Sequence, residues 1–163
     1  MRASTTDWAI APVPPDHPDA AAVLRRYTAD VAGRYYGRPA TEEEVDAAIA
    51  GDPSDDLAPP DGLFLLARGR DGVAGCVGVR RVDAGTAELR RLFVSAEARG
   101  SGCGSALVAA AEQAARGLGA ATIRLDTRRD LVEARSLYAR RGYTEVPPFN
   151  DGPYADHWYA KRL

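Results

Sequence analysis

The chain has 163 residues and a mass of 17.4 kDa, enough for one compact domain over residues 1–163 and too little for two of ordinary size. Hydrophobic residues at 45% and charged residues at 27% are globular values that exclude intrinsic disorder, and a net charge of −2 argues against binding a nucleic-acid backbone. No apolar run approaches the ~18 residues of a transmembrane helix, and Met1–Trp8 carries one arginine and no apolar stretch, so a cytoplasmic protein with no membrane or nucleic-acid partner is expected.

A short strand is expected around Trp8–Val13. Pro18 then opens a stretch with Ala22, Val23, Tyr27, Val31 and Tyr35 at near-helical spacing, and Gly33 and Gly37 mark its end. Thr41-Glu-Glu-Glu44 has the form of a capping box, predicting a second helix that buries Val45, Ala48 and Ile49 and stops at Gly51-Asp52-Pro53. Asp52–Asp61 reads as a loop. Eight acids and no base lie between Pro39 and Ala67, which is either an ordinary solvated surface or one that draws cationic acceptors.

Three strands follow at Leu63–Ala67, Val73–Val82 and Thr86–Val94. The turns Gly69–Gly72 and Asp83–Gly85 are too short for anything but an antiparallel meander. Past Arg99 the period becomes helical, with Leu107, Ala110, Ala111, Ala114 and Leu118 on one face and Gly119 closing it. Thr122–Leu125 reads as a strand, Leu131–Arg141 as a helix with Leu131, Ala134, Leu137 and Tyr138 inward, and Tyr143–Val146 and His157–Lys161 as the last strands. The order β-α-α-β-β-β-α-β-α-β-β describes an α/β chain with a mixed sheet. Cys76 and Cys103 form neither a C-x-x-C pair nor a zinc set, and His17 and His157 are distant in sequence, so no metal is expected.

Arg99-Gly-Ser-Gly-Cys-Gly-Ser105 sits between a strand and a helix, where free backbone N–H groups and a positive dipole end suit a phosphate. A P-loop is excluded, because no Gly-Lys-Ser/Thr follows at the required spacing. The dinucleotide fingerprint fits by half: Gly102 and Gly104 match, Leu107 replaces the third glycine, and three antiparallel strands precede the loop.

The segment Arg99-x-x-Gly102-x-Gly104 resembles the acyl-coenzyme A loop of the GNAT superfamily of N-acetyltransferases. So does its surround: the strand Glu88–Val94 before it, the helix after it, and Ala134-Arg-Ser-Leu-Tyr138-Ala-Arg-Arg-Gly142-Tyr143, similar to the family's A-x-x-L-Y-x-x-x-G-[F/Y] segment. The likeness covers residues 62–163. It implies a mixed, mostly antiparallel sheet flanked by helices and splayed between the fourth and fifth strands, with acetyl-CoA as co-substrate and a small-molecule or peptide amine as acceptor. The protein would be a monomer or homodimer.

Carried onto this chain, the resemblance puts the pantetheine arm against Leu92, Phe93 and Val94. The diphosphate would lie on the amides of Gly100, Ser101, Gly102, Cys103, Gly104 and Ser105, with Arg99 as a supporting charge. Tyr138 matches the tyrosine usually placed near the departing sulfur, and Glu88 the position of a catalytic glutamate in several members. A carboxylate near ~4.3 is a poor match for an alkyl-ammonium near ~10.4, so that role needs burial or a water relay. The other reading of Glu88 is an ion pair with Arg90, two residues along the same face of the strand. Cys103 would contribute only its N–H. Many relatives carry an asparagine seven residues before the tyrosine; here that residue is Leu131, and Asp126 or Thr127 stands in or the contact is absent. Tyr35, Tyr36 and the loop Pro147–His157 would wall the acceptor side, with His157 as an alternative base. A non-catalytic acyl-CoA-binding domain that controls a partner protein stays open as a second reading.

Overall fold

The central strands need cover on both sides, and this decides the architecture. In β2 (Gly62–Gly69), Leu65 and Ala67 join one buried cluster while Phe64 and Leu66 join another, so successive side chains enter two cores. In this computed structural model, which describes residues 8–163, one cover is α1 (Pro18–Tyr36), which brings Ala20 and Val23 to Phe64, Leu66, Cys76 and Phe93. The other is α3 (Cys103–Gly117), whose Leu107, Val108, Ala111 and Ala115 meet Leu65, Ala67, Val77 and Val79. Met1–Asp7, most of the stretch behind the expectation of a cytoplasmic protein, lies outside the described residues. Among the described residues no helix is long and apolar enough to cross a membrane.

The sheet has seven strands: β1 (Ala9–Pro12), β2, β3 (Gly72–Asp83), β4 (Thr86–Val94), β5 (Thr122–Thr127), β6 (Thr144–Glu145) and β7 (His157–Arg162). Their spatial order is β1-β2-β3-β4-β5-β7-β6, and every pair is antiparallel except β4 with β5. The mixed, mostly antiparallel sheet expected from the sequence is therefore present. β4 and β5 pair only through Thr86–Glu88 against Thr122–Arg124, and beyond that point the two strands part.

Helix α2 (Glu42–Gly51) opens on the capping box read from the sequence: Thr41 Oγ1 accepts from the Glu44 N–H at 3.1 Å, and Glu44 Oε1 accepts from the Thr41 N–H at 2.8 Å. Three boundaries differ from expectation. Gly33 stays inside α1, its carbonyl accepting from Gly37 and Arg38, so Gly37 alone, at φ 71°, turns the chain out of the helix. A single 3₁₀ turn, Ala96–Ala98, lies between β4 and the glycine loop. β6 is only two residues long, because Pro147 and Pro148 have no N–H to continue the ladder.

A buried charge ties the last elements together. Glu112 of α3 is 3% exposed and accepts from Arg141 at 3.0 Å, the Tyr143 hydroxyl at 2.9 Å and Lys161 at 3.1 Å. These partners follow or lie beyond α4 (Val132–Arg140), so one carboxylate joins α3 to the end of α4 and to β7. Burial opposes its ionisation, but Lys161, Tyr143 and Arg141 outweigh that and hold the carboxyl below its usual range.

Glu112→Gln should therefore cost roughly 3 kcal/mol near neutral pH. Because the folded-state pKa is depressed, the contribution is full above the unfolded value near ~4.3 and fades as pH falls toward the folded one. Urea unfolding at pH 7 and pH 3 should show the gap between wild type and variant closing at the lower pH. A second constraint is steric: a Cβ at Gly75 would run into the carbonyl oxygen of Phe93. Gly75→Ala should destabilise by roughly 1–3 kcal/mol, read as a melting temperature lower by several degrees.

Candidate active site

The site begins with an irregularity in β4. Cys76 of β3 pairs with Phe93 and Gly78 with Arg90, so two residues of β4, Arg91 and Leu92, stand opposite Val77 alone. This β-bulge reverses the alternation. Ala87 and Leu89 face the α3 side, but Phe93, which would share their parity in a regular strand, faces α1 with Cys76. Arg91 adopts φ 60°, rare for a side chain with a Cβ. Its guanidinium bonds Ser54 Oγ at 3.1 Å, the Asp52 carbonyl at 2.9 Å and the Asp52 carboxylate at 3.1 Å. Its own carbonyl accepts from the buried Cys76 thiol at 3.3 Å.

A cavity of about 1030 Å³ occupies the opening between β4 and β5. It brings together Glu88 and Leu92 of β4, Thr127 at the end of β5, and Leu131, Ala134 and Tyr138 of the α4 segment. Tyr138 is 4% exposed, and burial raises its phenol well above the ordinary value, with Tyr27, Asp126 and Tyr159 adding to the rise. Among the described residues no hydrogen bond engages its hydroxyl. A phenol in this state keeps its proton at physiological pH, and the same burial makes it a weaker donor than a phenol in water.

Glu88 lies at the fork where the strands part, 6% exposed. Arg80 of β3 donates to Oε1 at 2.9 Å and Arg124 of β5 to Oε2 at 3.3 Å, while the Arg90 guanidinium stands 3.8 Å away. The ion pair with Arg90 is thus the longest of three. Nothing in local spacing marks Arg80 and Arg124 as partners, because only the register of the sheet brings them to Glu88.

The glycine loop leads into α3 without a side-chain cap. Gly100 at φ 77° and Gly102 at φ 89° hold conformations that a Cβ disfavours, and the N–H groups of the first turn have no carbonyl within the helix to meet. That arrangement suits an anion. Gly104 has a packing role: a Cβ there would lie 3.0 Å from Leu137 Cδ2 and 3.5 Å from Val94 Cγ2, so this turn sits directly against α4 and the end of β4. Arg99 donates to the Val94 carbonyl at 3.3 Å and approaches Asp30 of α1 at 3.6 Å. Arg99 to Ser105 do not line the cavity itself; Val94 joins them to Leu92, which does. Cys103 is buried, and its thiol is pushed up to about 11 by that burial, which leaves little thiolate. Among the described residues no group of His, Cys, Asp and Glu side chains could hold a metal ion.

A GNAT acetyltransferase family model matches residues 24–143. The chain belongs to the GNAT acetyltransferase family. It is 30% identical to an uncharacterized N-acetyltransferase of Schizosaccharomyces pombe over 99% of this chain and 96% of that protein. It is 35% identical to an IAA acetyltransferase of Azospirillum brasilense over 60% of this chain and 63% of that one. Among solved structures, the PaiA N-acetyltransferase of Thermoplasma acidophilum in complex with coenzyme A has the same fold, with a TM-score of 0.73 at 21% identity over 95% of this chain and 99% of that one.

Of the residues expected to wall the acceptor, Tyr35, Tyr36 and the stretch Gly152–Ala155 line the cavity. His157 does not; its Nδ1 pairs with Glu145 at 2.7 Å. Asp126 accepts from Asn150 at 2.9 Å, and Asp126, Thr127 and Leu131 all reach the cavity wall. The acidic run of the sequence does not become an acidic surface. Six of its eight carboxylates are paired: Glu42 and Asp46 with Arg25, Glu44 with Arg38, Asp52 with Arg90 and Arg91, Asp56 with Arg80, and Asp61 with Arg81. Arg91 was missing from the sequence-based residues; a bulge and a positive φ leave no mark in an alternating strand. Arg91→Met should lose roughly 2 kcal/mol through its bonds to Ser54 and Asp52, measurable as a lower urea midpoint with an unchanged slope.

Proposed function

We propose that this GNAT-family acetyltransferase uses acetyl-CoA and moves the acetyl group directly from the thioester to an amine. The observation that carries the reading is Tyr138, buried yet lining a cavity that opens where β4 and β5 separate, within reach of the parted strands. The coenzyme A held by the Thermoplasma neighbour supports the same co-substrate.

In this reading the pantetheine arm lies along Leu92, Phe93 and Val94, where β4 has lost β5 as a partner and, apart from the Val94 carbonyl that accepts from Arg99, the backbone groups on that edge can bond a ligand. One of those N–H groups polarises the thioester carbonyl and steadies the oxyanion as the amine attacks. The diphosphate rests on the amides of Gly100 to Ser105, with Arg99 nearby and Thr127 at the far wall. The nitrogen lone pair attacks the carbonyl carbon, the C–N bond forms, the C–S bond breaks, and the sulfur takes the proton of Tyr138. Both oxygens of Glu88 already accept from guanidinium groups, so it takes the amine proton through an intervening water rather than by direct contact.

Isothermal titration with acetyl-CoA should detect binding, and steady-state turnover should report the acid. Tyr138→Phe should bind acetyl-CoA with an affinity within about twofold of wild type, while kcat falls by roughly a hundredfold. Unchanged turnover would remove Tyr138 from the reaction, and absence of any binding heat would remove acetyl-CoA.

A further inference from the structure

At the opening of the sheet, β5 divides its side chains between two faces. Ile123 and Leu125 enter the core under α3, the helix that carries the glycine loop, and buried Thr127 shares their parity. Arg124 and Asp126 point the other way. Arg124 marks that face: it bonds Glu88, and its guanidinium carbon lies 4.1 Å from the Phe149 ring centroid, in the loop before β7. The two residues in line to replace the family's asparagine therefore lie on opposite sides of the sheet. Thr127 keeps to the glycine-loop side, while Asp126 faces away from it and stands exposed at the cavity wall.

Asp126 is also held in place. The indole Nε1 of Trp158, which can only donate, bonds Asn150 Oδ1 at 3.0 Å, and the Gly152 N–H adds a second bond at 3.3 Å. The Asn150 amide is thereby fixed with its NH2 group toward Asp126 Oδ2, at 2.9 Å. Among the described residues no hydrogen bond or ion pair reaches Asp126 Oδ1. The other carboxylates of the cavity wall differ. Glu44, Asp52 and Glu88 are each paired with arginine, and Asp55 lies exposed in the loop after α2. Asp126 combines a fixed orientation with an open oxygen and no paired cation. Its charge also reaches the reacting end of the cavity, where it adds to the rise of the Tyr138 phenol.

Resting on the acetyl-transfer reading of this site, we propose that Asp126 is a further catalytic residue, whose Oδ1 accepts a hydrogen bond from the acceptor nitrogen and balances the positive charge that nitrogen acquires as it attacks the thioester. An amine that bonds carbon through its lone pair stays positive until a proton leaves. Glu88, neutralised by two guanidiniums, meets that charge weakly; an unpaired carboxylate on the same face meets it directly. No step is added. The C–N bond forms, the C–S bond breaks with its electron pair going to sulfur, and the sulfur takes the Tyr138 proton. The nitrogen proton passes to the water beside Glu88, and cavity water restores the phenol. Asn150 and Trp158 position the carboxylate without touching substrate. A carboxylate accepts from an ammonium and from a neutral amine alike, so this role does not depend on the charge of the acceptor.

The test follows thiol release at saturating acetyl-CoA with methylamine, spermidine, p-anisidine and a lysyl peptide, scored on whichever amine the wild type turns over fastest. Asp126→Asn keeps an oxygen for Asn150 and loses the charge. Its kcat/KM for that amine should fall at least about tenfold, as for a lost hydrogen bond to a charged group, while KM for acetyl-CoA stays within about twofold and the melting temperature is unchanged. Asn150→Ala, which leaves the carboxylate but frees it to turn, should lose only about threefold. Full activity in Asp126→Asn would overturn the proposal. So would a matching rise in KM for acetyl-CoA, which would place Asp126 on the cofactor, or equal losses in the two variants, which would leave it only a dock for the loop. Turnover of none of the amines by protein that binds acetyl-CoA in the calorimeter would overturn it as well. Loss of that binding heat is a different failure, which would remove the acetyl-transfer reading itself.

Discussion

One extra residue in β4, opposite Val77, separates two things at once. It reverses which face of the sheet the strand's end addresses, sending Phe93 into the core under α1 while Leu92 and Val94 turn toward α3 and α4. It also lies just beyond the last β4–β5 pair, Glu88 with Arg124, so the strand leaves the ladder as it changes face. A sheet that opens in its middle exposes unpaired backbone groups, ordinarily a liability. Here the two sides are braced from outside: Arg91 is fastened to the loop after α2, and Arg34 of α1 holds Glu133 of α4 through two bonds, at 2.9 and 2.7 Å. That second clasp holds the Glu133 carboxyl down to about 2, so it stays charged at every pH where the protein would work.

The placement of Tyr138 follows from a second close approach. Gly104 lets the first turn of α3 lie against Leu137, and Glu112 lower on the same helix anchors Arg141 and Tyr143 just past the end of α4. The C-terminal half of α4 is therefore fixed to the helix that presents the glycine loop. A group bound at that loop and a group poised at Tyr138 would share one frame.

Most of the fold was legible because its signals are local. The short turns at Gly69–Gly72 and Asp83–Gly85 can join only antiparallel strands, the capping box at Thr41 marks α2, and the change of period after Arg99 marks α3. Candidate site residues could be named from the sequence where a motif is contiguous, as at Arg99–Ser105 and Ala134–Tyr143. What escaped is what register creates. The partners of Glu88 lie 8 and 36 residues away, and Glu112 looks like one more charge on an alanine-rich helix until Arg141, Tyr143 and Lys161 converge on it. The bulge at Arg91 is invisible to alternation, since an alternating pattern read through Leu89–Phe93 predicts a regular strand.

The acidic run between Glu42 and Asp61 shows why charge counted along a chain misleads about charge in space. Those residues carry no base among them, yet α2 and its following loop pack beside α1, β3 and β4, whose Arg25, Arg80, Arg81, Arg90 and Arg91 take up the charge; Arg38 adds one more from the turn after α1. Such exposed pairs each contribute little to stability, but together they offset much of the field that the run would otherwise project toward the cleft.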